Sequence, residues 1–229
     1  MVTRLRGSFS DRRLAVLAAL GVLSAGVVGL VAFRVAYTHT MDNAGLVWNL
    51  LLAWIPLALA LMLYDRCVRR SGLATLSAIG ILWLLFFPNA PYIVTDFRHL
   101  AGSTGEKKFW FDSVLIGTAA ATGLLLGFVS LYLLQAMVRR GAGTRVAWLF
   151  VFAALGLGAV GVYLGRVLRW NSWDVFVRPG SLGADLGRAL VDPFAHPHPI
   201  ESTLLFASFL VASYLVFYSV ARASSLLGE

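Results

Sequence analysis

Six stretches of this chain are each long and apolar enough to cross a lipid bilayer, which leaves few folds open to it. They are Leu14–Ala36, Ala44–Tyr64, Leu73–Val94, Phe111–Met137, Arg145–Leu168 and Thr203–Ala221. A helix needs about 20 mostly apolar residues to span the hydrocarbon core. The expected fold is therefore all-α, a polytopic membrane bundle of six transmembrane helices forming a single integral membrane domain over residues 1–229. Composition agrees: 59% of residues are hydrophobic and 13% are charged, against roughly a quarter charged in soluble domains. Arg12 and Arg13 precede the first stretch, as in a signal peptide. Its apolar core is too long for one and no A-x-A site follows, so it reads as a retained helix. Cys67 is the single cysteine, which excludes an intrachain disulfide.

The formal net charge of +8 would suit nucleic acid, but its distribution follows membrane topology. Basic residues in short loops mark the cytoplasmic side. Arg4, Arg6, Arg12 and Arg13 precede helix 1; Arg66, Arg69 and Arg70 follow helix 2; Arg139, Arg140 and Arg145 surround the turn after helix 4. Placing these on one side predicts both termini in the cytoplasm. On the other side acids and bases balance at eight each, Arg34 among the bases, so the whole excess is cytoplasmic. No nucleic-acid partner is expected; membrane lipids are.

The unusual polar residues then gather on the outer side. The densest stretch is Phe86–Leu100, FFPNAPYIVTDFRHL. A proline inside a helix lacks an N–H and clashes with the carbonyl four residues back. Pro88 and Pro91 should therefore free the carbonyls of Leu84 and Phe87, with Asn89 beside them as a donor. If the helix continues, Asn89, Tyr92, Asp96 and His99 share one face. Asn49 lies in the outer half of helix 2, Asp112 opens helix 4, and Arg166 and Arg169 close helix 5. Gly123 and Gly127, and then Gly158, Gly161 and Gly165, supply the small surfaces that helices need to pack closely in lipid. The plainer reading of the outer cluster is a kinked helix end with solvated polar residues.

The outer loop over 169–202 is too long for a simple connection. Ser181 can cap a short interfacial helix through Leu190, which Asp192-Pro193 would stop. Trp170 and Trp173 before it suit an aromatic belt.

Three chemistries can be weighed. Asp96 and His99, with Asp112 and His196-x-His198, offer carboxylate and imidazole ligands, but the spacing matches no metal signature, so no metal is expected. Arg166 and Arg169 lie one helical turn apart at headgroup depth, where guanidinium forks match phosphate. They are either snorkelling arginines or a pocket for a lipid-linked phosphate, with Asp96 and His99 as candidate catalytic acid–base groups. Nucleophilic and ATP-binding signatures are absent, and no cofactor is implied.

Taken together, the P-N-A-P-Y-x-x-T-D run from Pro88, Trp110-Phe111-Asp112, the G-R-x-L-R-W-N-S-W-D run from Gly165, Trp48-Asn49 and Ala53-Trp54-Ile55-Pro56 carry a family likeness. Over essentially its whole length the chain resembles an uncharacterised family of bacterial integral membrane proteins, known only as a domain of unknown function, number thirteen sixty-one. The resemblance implies a multi-helix membrane protein and brings no activity, cofactor or partner. It singles out Asn49, Pro88, Asn89, Pro91, Tyr92, Asp96, Asp112, Arg166, Arg169, Trp170, Asn171 and Asp174.

The expected protein is thus a multi-pass component of the bacterial plasma (inner) membrane. Asn49, Asn89, Tyr92, Asp112, Arg166, Arg169, Asn171 and Asp174 are the candidate substrate-binding residues, expected to converge near the outer leaflet with Asp96 and His99. The site would serve a lipid or lipid-linked anionic substrate. The alternatives are a transporter or lipid-binding protein using the same pocket, or a structural subunit without catalysis.

Overall fold

The computed structural model describes residues 2–68, 72–102, 105–170, 174–178, 180–181 and 198–226. No strand occurs among the described residues. Helix α1 covers Val2–Thr38, α2 Gly45–Val68 and α3 Leu73–Phe86. A single turn, α4, over Asn89–Tyr92 leads into a 3-10 helix over Ile93–Gly102. Helix α5 runs over Glu106–Arg166, the short α6 over Asp174–Val177, and α7 over His198–Leu226.

Among the described residues, five helical stretches are long and apolar enough to cross a membrane: Arg13–Thr38, Gly45–Val68, Leu73–Ala101, Glu106–Arg166 and Glu201–Ala223. Their outward faces are apolar too. Leu51, Ile81, Leu149, Phe152, Leu205 and Val216 are all exposed, which is the surface a bundle shows to lipid rather than to water. Helices α1 and α2 pair antiparallel. Arg13 meets Asp65 at 3.4 Å, and Trp54 Nε1 donates to Ser24 Oγ at 3.1 Å. One core joins them to α5 through Val27, Leu50, Ala53 and Leu115. A second core joins α3, α5 and α7 through Trp83, Leu131, Leu155 and Tyr214. Hydrogen bonds cross that second core, from Tyr214 Oη to Gln135 Oε1 at 2.7 Å and from Trp83 Nε1 to Ser130 Oγ at 3.2 Å.

Element α5 holds the expected fourth and fifth helices, which meet at Gly143, where φ 86° and ψ 172° leave the helical region. Only glycine takes that conformation without a steric penalty. On either side of the break the chain passes the same neighbours in opposite order. A Cβ at Gly123 would lie 2.6 Å from the Ala90 carbonyl, and one at Gly127 would meet Ala90 and Phe87. After the break Gly158 faces Phe87, Gly161 faces Pro88 and Gly165 faces Tyr92. Residues 106–142 and 144–166 therefore run antiparallel and close on Phe87–Tyr92 from two sides. Arg139 and Trp148, which flank the break, both reach Tyr218 of α7.

A difference in detail lies at the prolines: the expected span over Leu73–Val94 with its kink is present within Leu73–Ala101, but the α-helix itself ends at Phe86. The carbonyl of Phe87, left by Pro91, accepts from Ala90 N–H at 3.2 Å, one residue tighter than an α-helix. That withdraws Ala90 from the Phe86 carbonyl. Asn89 Nδ2 supplies the replacement, donating to Phe86 O at 2.9 Å. Asn89 thus mends the kink, though at Phe86 rather than at Leu84 or Phe87. The chain continues as a 3-10 helix, where residues three apart eclipse, so Asp96 and His99 stay on one face by a different geometry.

Candidate functional site: a polar cavity between two buried ion pairs

The turn after the prolines brings Asp96 against α2 and the C-terminal end of α5. Asp96 is 3% exposed. A carboxylate so buried needs donors, and it has them. Asn49 Nδ2 donates to Oδ2 at 3.0 Å, and Arg166 Nη2 donates to Oδ1 at 2.5 Å. Arg166 Nη1 donates to Tyr92 Oη at 3.2 Å, and the guanidinium carbon lies 4.7 Å from the Tyr92 ring centroid. Arg166 Nε is buried with no hydrogen-bond partner among the described residues. His99 Nε2 lies 3.7 Å from Asp96 Oδ1, and the His99 side chain is 48% exposed.

A second cluster sits beside the first. Asp112 is buried and takes two bonds from Arg34, Nε to Oδ1 at 2.5 Å and Nη2 to Oδ2 at 3.1 Å. Asn43 Nδ2 adds a third, to Oδ1 at 3.2 Å. The remaining Arg34 nitrogen, Nη1, donates to Thr38 Oγ1 at 3.3 Å and Thr40 Oγ1 at 3.2 Å. Thr40 in turn donates to Asp42 Oδ2 at 3.0 Å. Between the clusters lies a cavity of about 130 Å³, lined by Asp42, Asn43, Gly45, Leu46, Asn49, Asp96, His99, Ile116 and Arg166.

Of the expected site residues, Asn49, Asp96, His99 and Arg166 line this cavity. Tyr92 stands behind Arg166 and holds it. Asn89 serves the kink. Asp112 does not open its helix, which starts at Glu106, and it belongs to the Arg34 cluster, touching the cavity wall through Asn43. Arg169 is exposed just past α5 in a left-handed conformation, φ 58°, while Trp170 N–H returns to the Leu164 carbonyl at 3.1 Å. Asp174 is buried at the start of α6. Asn171 lies outside the described residues, as do most of the helix expected from Ser181 to Leu190, His196 and the side chain of His198. No group of three or more metal-ligating side chains gathers among the described residues.

Sequence reasoning missed Arg34, Asp42 and Asn43. A signal for Arg34 was present: it is a lone cation inside an apolar run, and such a residue demands a partner. Asn43 and Asp42 carried none, because a short polar turn between two helices looks the same whether or not it covers a cavity.

The molecule is thus a polytopic α-helical protein of membrane type, in which two buried carboxylate–guanidinium pairs flank a small polar cavity. It belongs to the family described as protein of unknown function (DUF1361), whose profile matches residues 48–220. Asp96, His99, Asp112 and Arg166 fall inside the matched stretch; Arg34, Asp42 and Asn43 precede it. Searches of curated proteins and of solved structures find no match.

Proposed function

We propose that this chain crosses a bacterial inner membrane six times with both termini in the cytoplasm, and that its cavity receives the polar end of a lipid or lipid-linked substrate. Six crossings rest on α5. Its 61 residues would extend roughly 90 Å as one rod, about three times the hydrocarbon thickness, and the reversal at Gly143 makes them two crossings. The orientation rests on Arg139, Arg140 and Arg145 at that reversal, on the same side as Arg13 and Arg66. The cavity then lies at the outer end, at headgroup depth.

The observation that carries the functional reading is the pairing of Asp96 with His99 on the cavity wall. Asp96 is fixed by Arg166 and Asn49 and holds Oδ1 3.7 Å from His99 Nε2, so it faces that edge of the imidazole. Nδ1 is then the nitrogen free to exchange a proton with a bound group. Arg169, exposed just beyond, is available for a phosphate at the membrane surface. A structural role is the competing reading, and the saturation of Asp96 by Arg166 and Asn49 favours it.

Mass spectrometry of envelope lipids and glycans separates the two. A deletion strain complemented with wild type or His99→Gln at matched expression is the comparison. We expect one species to change covalently in the deletion and in His99→Gln alike. A profile for His99→Gln identical to wild type removes the proton-transfer role. One unchanged even in the deletion removes the enzymatic reading altogether.

A further inference from the structure

The cavity is built from acceptors, which says what kind of group it takes. Asn43 and Asn49 each line it, and each directs its amide NH₂ at a carboxylate, Asp112 and Asp96 respectively. A carboxylate only accepts, so neither amide can be turned round, and in each the carbonyl oxygen is the end left for a ligand. Asn43 is buried, 7% exposed, and lines the cavity. Asp42 adds an exposed carboxylate whose Oδ2 takes a bond from Thr40 and lies 3.9 Å from Arg34 Nη2. Against these stands one cation, Arg166, whose fork is engaged by Asp96 and Tyr92 and whose Nε has no surface a ligand could touch. The lining holds two carboxylates and one guanidinium, and Arg34 behind Asp42 is itself matched by Asp112.

An anion entering this space would meet carboxylates and amide oxygens and find few free donors. A protonated primary amine fits it instead. It carries one positive charge and three donors, and it is small enough for about 130 Å³. We propose that the cavity binds the ammonium group of an amine-bearing headgroup, through Asp42, Asn43 and Asn49, while any phosphate attached to it stays outside. This rests on the headgroup reading above and narrows it: the anionic part of the substrate does not enter. The ammonium of a membrane lipid and that of a free amine offer the same chemistry.

The test uses the full chain in nanodiscs of phosphatidylcholine doped with phosphatidylethanolamine or with phosphatidylglycerol. The lipid retained is read by native mass spectrometry after release into detergent, and soluble ethanolamine and inorganic phosphate are titrated in parallel. We expect phosphatidylethanolamine to be retained at least tenfold over phosphatidylglycerol. Asp42→Asn, on an exposed carboxylate, should weaken this about three- to fivefold without changing the thermal midpoint; Asn49→Leu should weaken it further. Ethanolamine binding without lipid retention supports the ammonium site but assigns it to a free amine, overturning the lipid-headgroup reading alone. Equal or preferential retention of phosphatidylglycerol, or competition by phosphate, overturns the ammonium proposal and leaves the headgroup reading standing. Retention of neither lipid and no ethanolamine binding overturns both.

Discussion

Asp112 shows how a buried charge holds this molecule together. Both it and Arg34 are about 3% exposed; they bond each other, Asn43 donates to Asp112, and Arg34 also reaches Thr38, Thr40 and, at 3.9 Å, Asp42. Removing one partner strands the other charge in a dry interior, at a cost of about 3–5 kcal/mol. Asp112→Ala should therefore lower the unfolding midpoint of the detergent-solubilised protein sharply. Arg34→Met combined with Asp112→Leu should recover most of that loss, because it is the unpaired charge rather than the missing bond that destabilises. A double variant no more stable than the single would refute this account. His99→Gln, on a half-exposed side chain, should stay within about 0.5 kcal/mol of wild type, so a change in lipid profile in that variant cannot be blamed on unfolding. At this scale the sequence was legible where a polar residue interrupted an apolar run in a recognisable motif, as for Asp96 and Arg166. It was not legible for Asn43, because an asparagine in a short turn has no pattern of its own.

The governing contact between elements is the approach of the two halves of α5 to the proline turn. A methyl group at Gly161 would overlap the Pro88 ring, whereas one at Gly156, on the same half of the same helix, meets nothing within 4 Å. These two glycines make a matched pair. Gly156→Ala should be neutral or stabilising by up to about 1 kcal/mol, since alanine is the better helix former. Gly161→Ala should destabilise by about 1–3 kcal/mol, since a full interface must shift. Thermal unfolding of both variants in one detergent decides it; equal effects would mean that the close approach to Pro88 does not constrain the fold. The glycine stripe was visible in the sequence as a packing surface. Its partner was not, because periodicity marks which face of a helix packs but not against what. The prolines likewise announced a kink, yet whether the chain resumed as α or 3-10 depended on which carbonyl each free N–H could reach.

Across the whole molecule, topology can be read with the one native thiol. Cys67 is exposed beside Arg66 at the end of α2, on the side proposed as cytoplasmic. A membrane-impermeant maleimide should leave it unlabelled in intact cells and label it after permeabilisation. In a Cys67→Ser background, Lys107→Cys, exposed at the start of α5, should be labelled without permeabilisation. The reverse pattern would invert the orientation and place the cavity in the cytoplasm. Labelling at both positions in intact cells would reject the proposed arrangement of crossings.

The sequence by itself determined that this is a helical protein of membrane type, where its apolar runs lie, and which polar residues are exceptional. These follow from one-dimensional properties: the length of an apolar run, the proline at a given position, the charge of a turn. Only the tertiary structure decided that the exceptional residues divide into two ion pairs rather than one cluster. It also decided that Arg34 belongs among them, and that Asn43 and Asn49 line the space between, each with its amide NH₂ on a carboxylate. The physical reason is that a buried charge takes whatever complement the packing brings within about 3 Å. Helices α1, α2 and α5 supply those complements from residues as far apart as Arg34 and Asp112, or Asn49 and Arg166. No local pattern records that meeting.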